Sequence, residues 1–106
     1  MYAVMITFTT SIPTDRLVEP FTDYADALRR QPGLITKTWI QDGTTLGGFH
    51  LFVDQAAADA YLGSDLAAGL RATDGFDDFD VRGFDVLADL SAMTGVAPES
   101  TLAQGV

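Results

Sequence analysis

The chain has 106 residues, 47% of them hydrophobic, and its six basic and fifteen acidic side chains leave a formal net charge of −9. One domain with one core is the natural reading of that length, and the acidic balance argues against nucleic acid or anionic lipid as partners. Cysteine is absent, which excludes disulfides, thiolate nucleophiles and zinc–thiolate sites.

Met1-Tyr2-Ala3-Val4 runs straight into a strand, with no basic and apolar leader. No apolar run approaches the roughly 20 residues of a membrane helix, and a cytoplasmic protein is expected. From Tyr2 to Thr9 the residues alternate. Tyr2, Val4, Ile6 and Phe8 face one way and Ala3, Met5 and Thr7 the other, as in a half-buried strand. Pro13 marks a turn, and Thr14 reads as an N-cap with Asp15 in the first helical turn. A helix is expected from about Asp15 to Gln31, with Leu17, Phe21, Tyr24, Ala25 and Leu28 on one face. Pro20 removes a backbone donor, so the first turn is expected to be distorted. Pro32-Gly33 ends the helix.

Leu34 to Gln41 reads as the second strand, Asp42-Gly43 with Thr44, Thr45 and Gly47 as a hairpin connection, and Gly48 to Val53 as the third strand. Asp54 caps a helix from Gln55 to Leu62, whose Ala56-Ala57-Ala58 run favours helix. Gly63-Ser64 interrupts it before a short helical piece from Asp65 to Arg71. Thr73 to Asp78 reads as a loop and Phe79 to Leu87 as the fourth strand, followed by a turn of helix to Met93. One domain over 1–93 and a flexible tail over 94–106 are expected.

The order β-α-β-β-α-β predicts an α+β, ferredoxin-like fold with both helices on one face of an antiparallel sheet. Strand period assigns Val4, Ile6, Phe8, Leu34, Ile40, Phe49, Leu51, Val53, Phe79 and Val81 to the helix side. It assigns Met5, Thr7, Ile35, Lys37, Trp39, Gln41, His50, Phe52, Arg82, Phe84 and Val86 to the open side. That second face carries the only lysine, tryptophan and histidine of the chain. It is also too apolar to stay in water, so a homodimer with two sheets face to face is expected, its polar members lining an enclosed space.

Three stretches carry a family resemblance: Gln31-Pro32-Gly33-Leu34-Ile35-Thr36-Lys37-Thr38-Trp39, Gly47-Gly48-Phe49-His50-Leu51-Phe52-Val53-Asp54, and Ala56-Ala57-Ala58-Asp59-Ala60-Tyr61-Leu62. The chain resembles the YdhR-type family of proposed monooxygenases, in the dimeric α+β barrel superfamily. The resemblance implies a ferredoxin-like protomer, a homodimer and a pocket between sheet and helices or within the barrel. It also implies a monooxygenase activity, although fold does not fix chemistry. The better understood cofactor-free monooxygenases of that superfamily use asparagine and tryptophan around a phenolic substrate. Here asparagine is absent, and only a tryptophan remains to correspond.

His50 is the one side chain with an ordinary pKa near neutrality, suited to take a proton from an acidic phenol or activated carbon. Lys37, two residues before Trp39 on the same strand face, would hold the resulting oxyanion or a substrate carboxylate; at a sheet edge it would instead snorkel to solvent. Arg82 is a second candidate for a substrate oxyanion, or else pairs with Asp80 or Asp85. Trp39 would form pocket wall or interface. Met5, Phe52 and Tyr61 are further candidate substrate contacts, and Tyr24 and Tyr61 could reach the pocket through their hydroxyls. The acidic run Asp74, Asp77, Asp78 and Asp80 lacks calcium-loop spacing. One histidine without cysteine makes a transition-metal site improbable. No phosphate loop is present, so no metal, nucleotide or flavin cofactor is expected. The expected activity is a cofactor-independent monooxygenase acting on a hydrophobic, aromatic or polyketide-like small molecule. The alternatives are an isomerase or cyclase on a similar substrate, and a non-catalytic binding dimer.

Overall fold

In the computed structural model, which describes residues 1–96, four strands and four helices form: β1 (Tyr2–Thr10), α1 (Val18–Leu28), β2 (Leu34–Asp42), β3 (Thr45–Phe52), α2 (Gln55–Leu62), α3 (Asp65–Arg71), β4 (Phe76–Asp85) and α4 (Ala88–Met93). A 3₁₀ turn at Thr14–Arg16 precedes α1. The sheet order is β2-β3-β1-β4, and every neighbouring pair is antiparallel. This is the ferredoxin-like arrangement that the element order predicts. Most of the expected tail, 97–106, lies outside the described residues.

The local signals explain the helix boundaries. Pro20 sits third in α1, where its missing N–H is one that no helix bond would have used. The Asp54 carboxylate accepts from the Ala57 N–H at 2.8 Å and opens α2. Ser64 Oγ accepts from the Ala67 N–H at 3.2 Å and opens α3, so Gly63-Ser64 separates two capped helices. Thr14 makes no side-chain cap; its Oγ1 accepts from Gln41 Nε2 at 2.7 Å and ties the pre-helical turn to the end of β2. The hairpin after β2 turns on Gly43 at φ +58°, a conformation that glycine adopts without strain.

Two apolar clusters form the core. Val4, Ile6, Leu28, Phe52, Ala58, Tyr61 and Ala67 fill one end of the layer between sheet and helices. Phe8, Leu17, Leu46 and Phe76 fill the other. β4 begins earlier than its alternation suggests. Asp78 takes φ +55° at an irregularity in the β1–β4 register. The extra residue lets both Phe76 and Phe79 reach the ring of Phe8, at 4.5 and 5.0 Å between centroids.

The face assignment of β2 and β3 is corrected. Val4 pairs with His50, Ile6 with Gly48, Lys37 with His50 and Trp39 with Gly48. Directly paired residues share a face, so Lys37, Trp39, His50 and Phe52 lie under the helices. Phe49, Leu51 and Ile40 lie on the open side. In β2 the reason is a register shift between Leu34 and Thr36. Leu34 pairs with Phe52 and Lys37 with His50, so both face inward although three positions apart, because Ile35 is the unpaired extra residue. In β3 both alternating sets contain apolar residues, so the pattern does not choose a face and the register does.

Candidate functional site

A cavity of about 210 Å³ opens beneath α1, between the two core clusters. Phe21 and Tyr24 of α1 form its roof, Lys37, Trp39 and Gln41 of β2 its outer wall, and Gly48 and His50 of β3 its floor. The Phe21 and Trp39 rings lie 5.2 Å apart, and Tyr24 meets Trp39 edge-on at 6.4 Å. Its walls are therefore aromatic and its polar groups few, as in small-molecule sites.

Lys37 Nζ lies over the Trp39 ring, 3.5 Å from its centroid, and 5.2 Å from that of Tyr24, a cation–π arrangement. Its stem crosses Gly48: a Cβ there would collide with Lys37 Cε and stand 3.1 Å from His50 Cε1. The glycine leaves the space that the lysine occupies, as a glycine within a strand often does. The ion pairs among the described residues join Asp26 to Arg29 and Arg30 on the surface, so Lys37 has no carboxylate partner among them. Burial without an anion pushes its ammonium down to about 8.

His50 is 1% exposed. Its Nδ1 lies 3.1 Å from the Val4 carbonyl, and its Nε2 has no hydrogen-bond partner. Burial, and secondarily the charge of Lys37, push the imidazole down to about 4, against weaker support from the backbone of Val4 and Gly48. At neutral pH the ring is therefore uncharged. Nδ1–H donates to Val4, and Nε2 carries the free lone pair.

Tyr61 is fully buried beneath the site, with its ring 5.6 Å from His50 and 5.8 Å from Phe52. Its hydroxyl bonds that of Tyr24 at 2.5 Å. Burial raises both phenols, so both stay protonated near neutral pH. Tyr61→Phe leaves the Tyr24 hydroxyl without its partner, and a loss of about 1–3 kcal/mol is expected in urea unfolding. An unchanged midpoint would mean that the pair does not hold Tyr24 in place.

The sequence-predicted residues divide accordingly. Lys37, Trp39 and His50 come together at the cavity. Phe52 and Tyr61 lie in the core behind it. Met5 and Arg82 pair with each other on the opposite face of the sheet, and the Arg82 guanidinium lies over Phe84 at 5.3 Å. Phe21, Gly48 and the Thr14–Gln41 contact belong to the site but were not among its candidate residues. The Gly47-Gly48 pair inside a strand was the available signal of a close approach.

The family described as "Putative mono-oxygenase ydhR" matches residues 3–97. The chain belongs to this YdhR family. Among curated proteins none matches its sequence significantly. Among solved structures, it is similar to the cofactor-independent oxygenase SnoaB from Streptomyces nogalater (18% identity, 80% of this chain and 91% of that one, TM-score 0.64). It is also similar to an antibiotic biosynthesis monooxygenase-type protein from Deinococcus radiodurans (14%, 81% and 92%, TM-score 0.65). A third is a MhuD mutant with two manganese protoporphyrin IX bound per active site (14%, 82% and 95%, TM-score 0.64). At these identities the structural similarity shows a shared fold and nothing finer. Within it, the YdhR-family chain carries a monooxygenase-like scaffold whose helix-side cavity holds Lys37 and His50 together.

Proposed function

We propose that this YdhR-family protein is a cofactor-independent monooxygenase acting on an aromatic or polyketide-like small molecule. The observation that carries the reading is the aromatic-walled cavity with an uncharged His50 on its floor and a cationic Lys37 on the paired position of its outer wall. His50 Nε2 takes a proton from an acidic phenol or activated carbon of the substrate. The ammonium of Lys37 pairs with the anion that results. That anion also neutralises the charge that helps hold His50 at about 4, so binding makes the imidazole a better base. The electron-rich anion is itself the reductant. It passes an electron to dioxygen, the two radicals combine in a C–O bond, the proton held by His50 returns to the peroxide, and loss of water with the remaining hydrogen of that carbon leaves a carbonyl.

A porphyrin does not fit this cavity. Its volume of about 210 Å³ is smaller than a tetrapyrrole macrocycle itself. Oxygen uptake with phenolic substrates in metal-free, flavin-free buffer tests the reading. Substrate turnover without oxygen uptake would favour an isomerase or cyclase, and binding without turnover a ligand-binding protein.

The second part of the proposal is a cytoplasmic homodimer; no helix among the described residues is long and apolar enough to cross a membrane. On the open face Phe49, Phe84 and Ile40 are 39, 42 and 38% exposed, and Leu87, Leu90 and Met93 beside them 68, 62 and 82%. A patch of this kind is unfavourable in water, and a second copy would bury it. Light scattering is expected to give the mass of two chains; the mass of one removes the dimer.

A further inference from the structure

The chain has a single lysine among six basic residues. All five arginines are exposed, whereas Lys37 is partly buried against the cavity. A solvated cation needs no cavity, and a permanent one is better supplied by arginine, which stays charged. Lysine is the basic side chain that can become a neutral nucleophile. At Lys37 the surroundings favour that form: a side chain partly buried against the cavity, no ion-pair carboxylate among the described residues, and a histidine on the paired position whose Nε2 is free to accept a proton.

We propose that Lys37 is a carbonyl-reactive amine, and that the cavity takes up an aromatic aldehyde or ketone and holds it as an imine on Nζ. The inference rests on the reading of this cavity as the substrate site, and not on the oxygen chemistry. The neutral Nζ adds its lone pair to the carbonyl carbon, and the π pair moves to oxygen. His50 takes a proton from the nitrogen and returns it to that oxygen, and the second nitrogen proton follows by the same route. Water leaves as the C=N bond forms. Amine and carbonyl give imine and water, with no oxidant or reductant. The ammonium pKa of about 8 leaves about a tenth of Lys37 as free amine at pH 7, against less than about a thousandth for an ordinary lysine. Once protonated, the imine of a ketone draws electrons from the adjacent alkyl carbon, and a C–H there becomes a better proton donor to His50.

The test uses the full chain with salicylaldehyde and cyanoborohydride at pH 7 under argon, read by peptide mapping. The chain's two amines are Lys37 Nζ and the Met1 α-amine. Folded protein is expected to label Lys37 in preference to Met1, with the ratio at least tenfold above that of urea-unfolded chain. His50→Gln is expected to slow labelling at Lys37 by about tenfold or more, and Lys37→Arg to leave Met1 as the labelled site. An equal ratio in folded and unfolded chain overturns the proposal without recourse to any variant. An unchanged rate in His50→Gln overturns the proton relay. Oxygen uptake is measured apart. Labelling without uptake keeps this inference and removes the oxygenase; uptake without labelling does the reverse.

Discussion

His50→Gln is expected to lower oxygen consumption by about 10²–10⁴-fold, the usual contribution of a positioned acid–base group. It is also expected to change the acid stability of the fold. The imidazole is lowered from 6.5 to about 4 in the native protein. Between those values the unfolded chain binds a proton that the native chain does not, so stability falls as the pH falls. The contribution of His50 is complete above pH 6.5 and lost by about pH 4, about 3 kcal/mol in all. Glutamine keeps an amide N–H to offer the Val4 carbonyl, the partner of Nδ1 at 3.1 Å, but has no proton to gain. Urea unfolding at pH 7, 5.5 and 4 is the check. The wild-type curve should drop below that of the variant by a widening margin. Two parallel curves would show that His50 is not held neutral by burial.

The other large effect is expected at Gly47. A Cβ there would collide with the carbonyl oxygen of Ile6 and stand 2.9 Å from Thr7 Cα. These are backbone atoms of β1, a central strand bonded on both sides, and they cannot turn away. Gly47→Ala should therefore destabilise the fold by about 3 kcal/mol or more. Gly48→Ala is the informative contrast. Its Cβ meets the flexible end of Lys37, so the fold should survive while Nζ leaves its place over Trp39. The single tryptophan makes this displacement visible in fluorescence. Equal stability losses at the two positions would mean that the close approach at Gly47 relaxes.

The elements were legible because their signals are local. Asp54 and Ser64 cap their helices, Pro20 is tolerated where it stands, and burial alternates along the first strand from Val4 to Thr10. The candidate site was legible in part. Lys37, Trp39 and His50 were grouped correctly because they lie on adjacent strands, and the pairing keeps them together whichever face they take. Tyr24 and Tyr61 were legible as hydroxyls on helices, but not as a pair, since 37 residues separate them.

By itself, the amino-acid sequence determined the order of elements, the ferredoxin-like topology and the membership of Lys37, Trp39 and His50 in one cluster. Those follow from periodicity, capping and handedness, each set within a short stretch of chain. The tertiary structure alone decided which side of the sheet that cluster faces. Ile35 bulges out of register and reverses the parity of β2, and β3 offers apolar side chains on both faces, so only its pairing with β1 selects one. Because of that choice His50 lies beneath a helix, where it is deprived of water and kept neutral, and Lys37 lies within an aromatic cavity and not on the open face of the sheet.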